Sequence, residues 1–195
     1  MLNIIKIREM DNFWENRYKT GGNSGSGSYG ENAEHKATVI NDYVTKYSIK
    51  TISDFGCGDG NQISLLKGYE NYSGYDISEY ILNKCKEKFT GMPMVFYDDM
   101  LKMPEADLCM SLDVMYHIVD EKDYKFYLDQ LFGKSKRFVL IYSSNFEGKE
   151  VVGKYILHRK FTDWVEKYYL EFKFVEEVGN YLQTAAQFYL YERKN

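Results

Sequence analysis

One run of residues, Asp54-Phe55-Gly56-Cys57-Gly58-Asp59-Gly60, restricts this chain more than any other. Thr51-Ile52-Ser53 ahead of it reads as a short buried strand. Behind it, the apolar spacing in Asn61-Gln62-Ile63-Ser64-Leu65-Leu66 predicts a helix. Strand, glycine turn and helix together form the unit from which parallel sheets are built. Gly56 and Gly58 carry no Cβ, so the backbone can turn sharply there and come close to a ligand. The turn is expected to point free backbone N–H groups at the carboxyl edge of the sheet, where open α/β sheets bind nucleotides. Tyr72-Ser73-Gly74-Tyr75-Asp76 reads as a second strand ending in an acid, at a spacing that suits both hydroxyls of a ribose.

Two nucleotide cofactors fit this pattern. A dinucleotide needs G-x-G-x-x-G, but Asn61 stands where the last glycine belongs. Asp54 and Asp59 would also repel a pyrophosphate. The two acids suit instead a cofactor bearing an ammonium and a sulfonium. Residues 54–60 resemble motif I of the class I S-adenosylmethionine-dependent methyltransferases, and Asp76 resembles that family's ribose-binding acid. A nicotinamide-dependent oxidoreductase and a non-catalytic nucleotide-binding module are the competing readings.

At 195 residues with two prolines and no repeats, the chain is expected to form one domain. Residues 1–47 would supply N-terminal helices and a glycine-rich flap, and residues 48–195 the α/β core. Strands are expected near 51–55, 72–76, 94–97, 107–112, 137–142, 171–178 and 185–191. Helices are expected near 8–18, 31–47, 62–67, 78–89, 121–132 and 162–169, with Ser78 and Thr162 as N-caps. With no helix between the last two strands, they should pair as an antiparallel hairpin. The resemblance implies a Rossmann-like three-layer sandwich, a mostly parallel seven-stranded sheet in the order 3-2-1-4-5-7-6.

A net charge of -4 argues against nucleic acid or an anionic membrane as partner, and no apolar run is long enough to span a bilayer. Three cysteines without a C-x-x-C fit free thiols in a reducing, cytoplasmic setting. Gly21-Gly22-Asn23-Ser24-Gly25-Ser26-Gly27-Ser28-Tyr29-Gly30 reads either as an inert linker or as a flap that closes over the cofactor with Tyr29 as its large side chain. The flap is the preferred reading.

The resemblance implies further cofactor contacts from Ile77, from Asp99 and Met100 after the third strand, and from Leu112 at the end of the fourth. The alternative is that Asp98 and Asp99 are a pair of solvated loop acids; the cofactor contact is the preferred reading, because motif I and Asp76 already stand. The fourth strand runs into Ser111-Leu112-Asp113-Val114-Met115-Tyr116-His117, which is not the D/N-P-P-Y/F signature of base-amino methylation. His117 is the candidate catalytic residue, because an imidazole can orient a hydroxyl and take its proton near neutral pH. A merely packed histidine is the alternative. Tyr116 and Asn145 are candidate acceptor contacts. His158-Arg159-Lys160 reads either as a solvated charge run or, since it places cations just before a helix N-terminus where they are disfavoured, as an anion site in which His158 and Arg159 are expected to hold an anionic acceptor.

Together, Tyr18 to Gly30, Ser111 to His117, Ile141 to Asn145 and His158 to Trp164 resemble small bacterial methyltransferases of capsular and surface-polysaccharide gene clusters. That implies O-methylation of a small acceptor, such as a capsular sugar or a phosphoramidate, with S-adenosylhomocysteine as product.

Overall fold

The computed structural model describes residues 8–148, 155–179, 182 and 184–194, with side chains from Phe13 onward. The middle of the segment after the fifth strand, residues 149–154, lies outside the described residues. Seven strands form one sheet: β1 (Thr51–Phe55), β2 (Asn71–Tyr75), β3 (Met94–Tyr97), β4 (Ala106–Leu112), β5 (Ser135–Ser144), β6 (Phe172–Val178) and β7 (Ala186–Arg193). Their order is β3-β2-β1-β4-β5-β7-β6. The first five are parallel, and β7 runs antiparallel between β5 and β6. The expected architecture and the C-terminal hairpin are both present.

Helices α1 (Arg8–Lys19), α2 (Gly30–Lys46), α3 (Glu79–Lys88), α4 (Glu121–Gly133) and α5 (Phe161–Tyr168) surround the sheet. Alternation along β4 splits the core. Leu108, Met110 and Leu112 pack with Ile40 and Val44 of α2 and Leu82 of α3 on one face. Cys109 packs with α4 and α5 on the other. In α4 the buried residues Tyr124, Tyr127, Leu128, Leu131 and Phe132 fall at the helical repeat, each burial contributing roughly 1.5–3 kcal/mol. Asp120 caps this helix by accepting from Lys122 and Asp123 N–H (2.8 and 3.1 Å), and Ser78 caps α3 by accepting from Ile81 N–H (3.2 Å).

Two expectations fail locally. The helix over 62–67 is only a 3-10 turn, Ile63–Leu65. Asn41 of α2 takes the positions a next helical turn would occupy, donating to Leu65 carbonyl (3.1 Å) and accepting from Lys67 N–H (2.8 Å). Gly68 then turns away at φ 84°. Thr162 is not an N-cap: α5 begins at Phe161 after Lys160, and the Thr162 hydroxyl donates to Asn145 Oδ1 (3.2 Å).

Candidate active site

The carboxyl ends of β1, β2 and β4 open into a cavity of about 460 Å³. Motif I forms its floor. Gly56 sits at φ 100°, and a Cβ there would meet Val114 Cγ2 at 2.3 Å, so β1 and the turn after β4 can close together only around glycine. The N–H groups of this turn are not free, contrary to expectation. Gly56 and Cys57 N–H donate to Tyr75 carbonyl (2.8 and 2.9 Å). Gly58 N–H donates to Asp76 Oδ2 (3.0 Å) and Asp59 N–H to Ser24 Oγ (2.9 Å).

The carboxylates carry the site's electrostatics. Asp54 is 3% exposed; Oδ2 accepts from Tyr72 hydroxyl (2.8 Å), while Oδ1 has no partner among the described residues. Burial pushes its carboxyl up to about 7, against the lowering pull of Tyr72 and Lys36. Asp76 also accepts from Ser78 N–H (3.0 Å), and burial pushes it up to about 6 despite these bonds. Gln62 presents a second buried orphan, Oε1, while its amide nitrogen holds Ala33 carbonyl (3.1 Å).

The glycine-rich stretch lies clasped over motif I. Asp59 Oδ2 accepts from Ser24 N–H (2.8 Å) and from Tyr29 hydroxyl (2.9 Å). Asn61 donates to Ser28 carbonyl (2.6 Å), and Tyr18 hydroxyl meets Ser24 Oγ (3.2 Å). A Cβ on Gly58 would meet Ser24 Oγ at 2.3 Å, so the contact is tight. Tyr29 is 38% exposed and fastens the stretch from outside the cavity wall.

Behind β4, Asp113 takes φ 60°, a backbone conformation uncommon for a residue with a side chain. Its surroundings hold it there. Oδ2 accepts from Lys36 Nζ (2.7 Å), Oδ1 from Tyr116 hydroxyl (2.9 Å), and its N–H donates to Tyr142 carbonyl (2.9 Å). Lys36 is 1% exposed and also lies over the Tyr142 ring. Gly27 packs directly on this acid: a Cβ there would meet Asp113 Oδ2 at 2.8 Å.

His117 closes the far side. Its Nδ1 lies 3.0 Å from Tyr155 carbonyl. A carbonyl only accepts, so in the neutral ring Nδ1 carries the proton and Nε2 keeps a free lone pair. Burial pushes its pKa below the ordinary histidine value, partly offset by the Tyr155 carbonyl. The Trp14 ring packs edge-on at 5.3 Å and Tyr116 at 4.6 Å, while Phe13 faces Tyr155 at 4.6 Å.

Of the residues expected at the site, Asp54, Gly56, Gly58, Asp76, Ile77, Met100, Leu112, Tyr116 and His117 line one cavity. The others are placed elsewhere. Asp99 caps a 3-10 turn by accepting from Leu101 N–H (2.9 Å), and only its neighbour Met100 reaches the wall. Asn145 accepts from Thr162 at the start of α5. His158 Nδ1 meets Ser144 Oγ (2.7 Å) with its ring against Phe146. Arg159 donates to the carbonyls of Ile118 and Val119 (both 2.7 Å) and lies over Tyr124, so its fork is spent on the chain itself. Trp14, Arg17, Tyr18, Lys36, Gln62 and Asp113 line the cavity without having been expected there. Asp113 had a visible signal, an acid directly after a buried strand; a lone lysine among the apolar positions of α2 was a weaker one.

A family model described as a methyltransferase domain matches residues 53–132. No curated protein matches this chain significantly. Among solved structures, magnesium protoporphyrin IX methyltransferase from Synechocystis with bound S-adenosylhomocysteine is 14% identical, with a TM-score of 0.69 over 95% of this chain and 98% of that one. An S-adenosylmethionine-dependent methyltransferase from Clostridium acetobutylicum is 14% identical, with a TM-score of 0.65 over 95% and 98%. The N-methyltransferase NodS from Bradyrhizobium japonicum, in complex with S-adenosylhomocysteine, is 10% identical, with a TM-score of 0.66 over 84% and 88%. At these identities the likeness is one of fold.

Proposed function

We propose that this chain is an S-adenosylmethionine-dependent methyltransferase, a reading that its matched methyltransferase domain and its fold support, and that it methylates a hydroxyl oxygen on a small, uncharged acceptor such as a sugar. When bound, the cofactor supplies an electrophilic methyl group on a sulfonium. The residues present fit such a cofactor: Asp54 Oδ1 and Gln62 Oε1 are buried acceptors in want of donors, which an ammonium would provide. Asp76 and Ile77 would hold the ribose, and Met100 and Leu112 the base. A dinucleotide fits poorly, because the N–H groups of motif I are already bonded within the protein and leave a pyrophosphate none.

The observation that carries the acceptor reading is the state of His117. A ring kept neutral by burial, with Nε2 unprotonated and Nδ1 fixed on Tyr155 carbonyl, is arranged to take a hydroxyl proton as the oxygen attacks the methyl carbon. The bound cofactor would give up its methyl group and remain as the neutral thioether, and the proton would rest on His117 Nε2. An anionic acceptor has less support, since Arg159 and His158 stand away from the cavity and Lys36 is paired with Asp113. The aromatic walls at Phe13, Trp14 and Tyr155 suit the apolar face of a sugar ring. The resemblance to enzymes of surface-polysaccharide clusters implies a capsular sugar or a phosphoramidate, and the first of these agrees with an uncharged acceptor.

Calorimetry with S-adenosylhomocysteine and NAD tests the cofactor, and a methyl-transfer screen over sugars, sugar phosphates and amines tests the acceptor. Binding of S-adenosylhomocysteine without NAD, with turnover on a neutral hydroxyl, is the expected result. NAD binding, or turnover confined to amines or phosphate oxygens, would sink it.

A further inference from the structure

We infer that Arg17 is the carboxylate-binding residue of the cavity and holds the amino-acid end of the cofactor. The inference rests on the cofactor reading above. It begins from an inventory of donors. S-adenosylmethionine carries an α-carboxylate, which must trade its water for hydrogen-bond donors when buried. The glycine turn cannot supply them: Gly56, Cys57, Gly58 and Asp59 N–H are all taken within the protein. The other cation in the wall, Lys36, is 1% exposed and committed to Asp113 at 2.7 Å.

Arg17 differs from both. It stands on α1 and lines the same cavity as Asp54 and Gln62. Its Nε donates to Asn23 carbonyl (2.7 Å) and its guanidinium lies 5.8 Å from the centre of the Trp14 ring, which together fix the plane. Among the described residues, Nη1 and Nη2 have no hydrogen-bond partner. A planar fork held at its base with both terminal nitrogens open matches two carboxylate oxygens. The cavity is thus lined by two residues with an unpaired acceptor, Asp54 and Gln62, and by one with an unpaired donor fork. Those are the requirements of a zwitterion, an ammonium and a carboxylate on one carbon.

Isothermal titration of the wild type, Arg17→Gln and Arg17→Lys against two ligands tests this. S-adenosylhomocysteine carries the amino-acid end; 5′-methylthioadenosine keeps the nucleoside and thioether and lacks it. Arg17→Gln should weaken S-adenosylhomocysteine about 10- to 100-fold and change 5′-methylthioadenosine by less than about twofold, with Arg17→Lys in between. Unchanged S-adenosylhomocysteine affinity in Arg17→Gln overturns the inference. Equal weakening of both ligands also overturns it, since Arg17 would then only prop the glycine-rich stretch through Asn23. The wild-type titrations read the cofactor separately: if neither ligand binds, the cofactor assignment fails, and the role of Arg17 with it.

Discussion

Asp54 is stable only at a cost. Its carboxyl is pushed up to about 7 and that of Asp76 to about 6, both by burial, from an ordinary value of 3.8. Between that ordinary value and these, the folded chain keeps protons that the unfolded chain has lost, so this pair makes stability fall as pH rises from about 4 to about 7. Asp54→Asn removes the charge and leaves an oxygen for Tyr72. It should raise the melting temperature at about pH 8, by about 2–4 °C for each kcal/mol gained, and flatten that part of the pH profile. The same variant should lose most affinity for S-adenosylhomocysteine. Scanning calorimetry across pH and titration of the ligand check the two halves; a less stable variant would contradict the account. His117 gives the second residue-scale expectation. His117→Ala should slow the chemical step roughly 10²–10⁴-fold. In the wild type the rate should fall with acid through a limb below the ordinary histidine value of about 6.5, because burial lowers the ring's pKa. Single-turnover rates against pH would show it.

At the scale of elements, the glycine-rich stretch is a strap, with Asp59 as its buckle. Asp59→Ala removes the acceptor for Ser24 N–H and Tyr29 hydroxyl together. Amide exchange over residues 22–28 should quicken and S-adenosylhomocysteine should bind more weakly, with the melting temperature nearly unchanged. Exchange as slow as in the wild type would show that packing, not Asp59, holds the strap. Arg159 does a different task from the one its neighbours in sequence implied. It ties the stretch before α5 to the carbonyls of Ile118 and Val119, so Arg159→Ala should cost roughly 1–3 kcal/mol of stability in a denaturation experiment and leave S-adenosylhomocysteine affinity unaltered. What was legible here divides by mechanism. Strands and caps at Ser78 were readable because alternation and capping are local. The missing helix after β1 was not, because Asn41 of α2 displaces it from a distance. A run of cations before a helix looked like an anion site, because no sequence pattern reveals that a guanidinium is already spent on two carbonyls.

For the whole molecule, the strand order was what the resemblance of motif I to the class I methyltransferases implied, while the hairpin followed from the absence of a helix between the last two strands. The cavity floor was equally legible, since motif I and Asp76 are fixed by the sheet edge. The roof was not: Trp14, Arg17 and Tyr18 come from a helix far from the motif in sequence, brought back by Glu15, which accepts from Ser78 hydroxyl and Tyr80 N–H. A ligand seated between floor and roof should stabilise the chain as one unit. At a hundred times its Kd, S-adenosylhomocysteine adds about 2.7 kcal/mol, which for this size should raise the melting temperature by roughly 5–10 °C. NAD at the same concentration should leave it where it is, and thermal-shift measurement separates the two.

The roof also bears on how such an enzyme can change its trade. On the proposed reading the sheet, with Asp54 and Asp76, answers to the cofactor, while the aromatic walls beside His117 come from α1 and from Tyr155 in the connection between β5 and α5. Substitutions at Phe13, Trp14 or Tyr155 touch neither a strand register nor a glycine turn. New acceptors are therefore reachable by exchanging these few side chains, with the catalytic floor passed on intact.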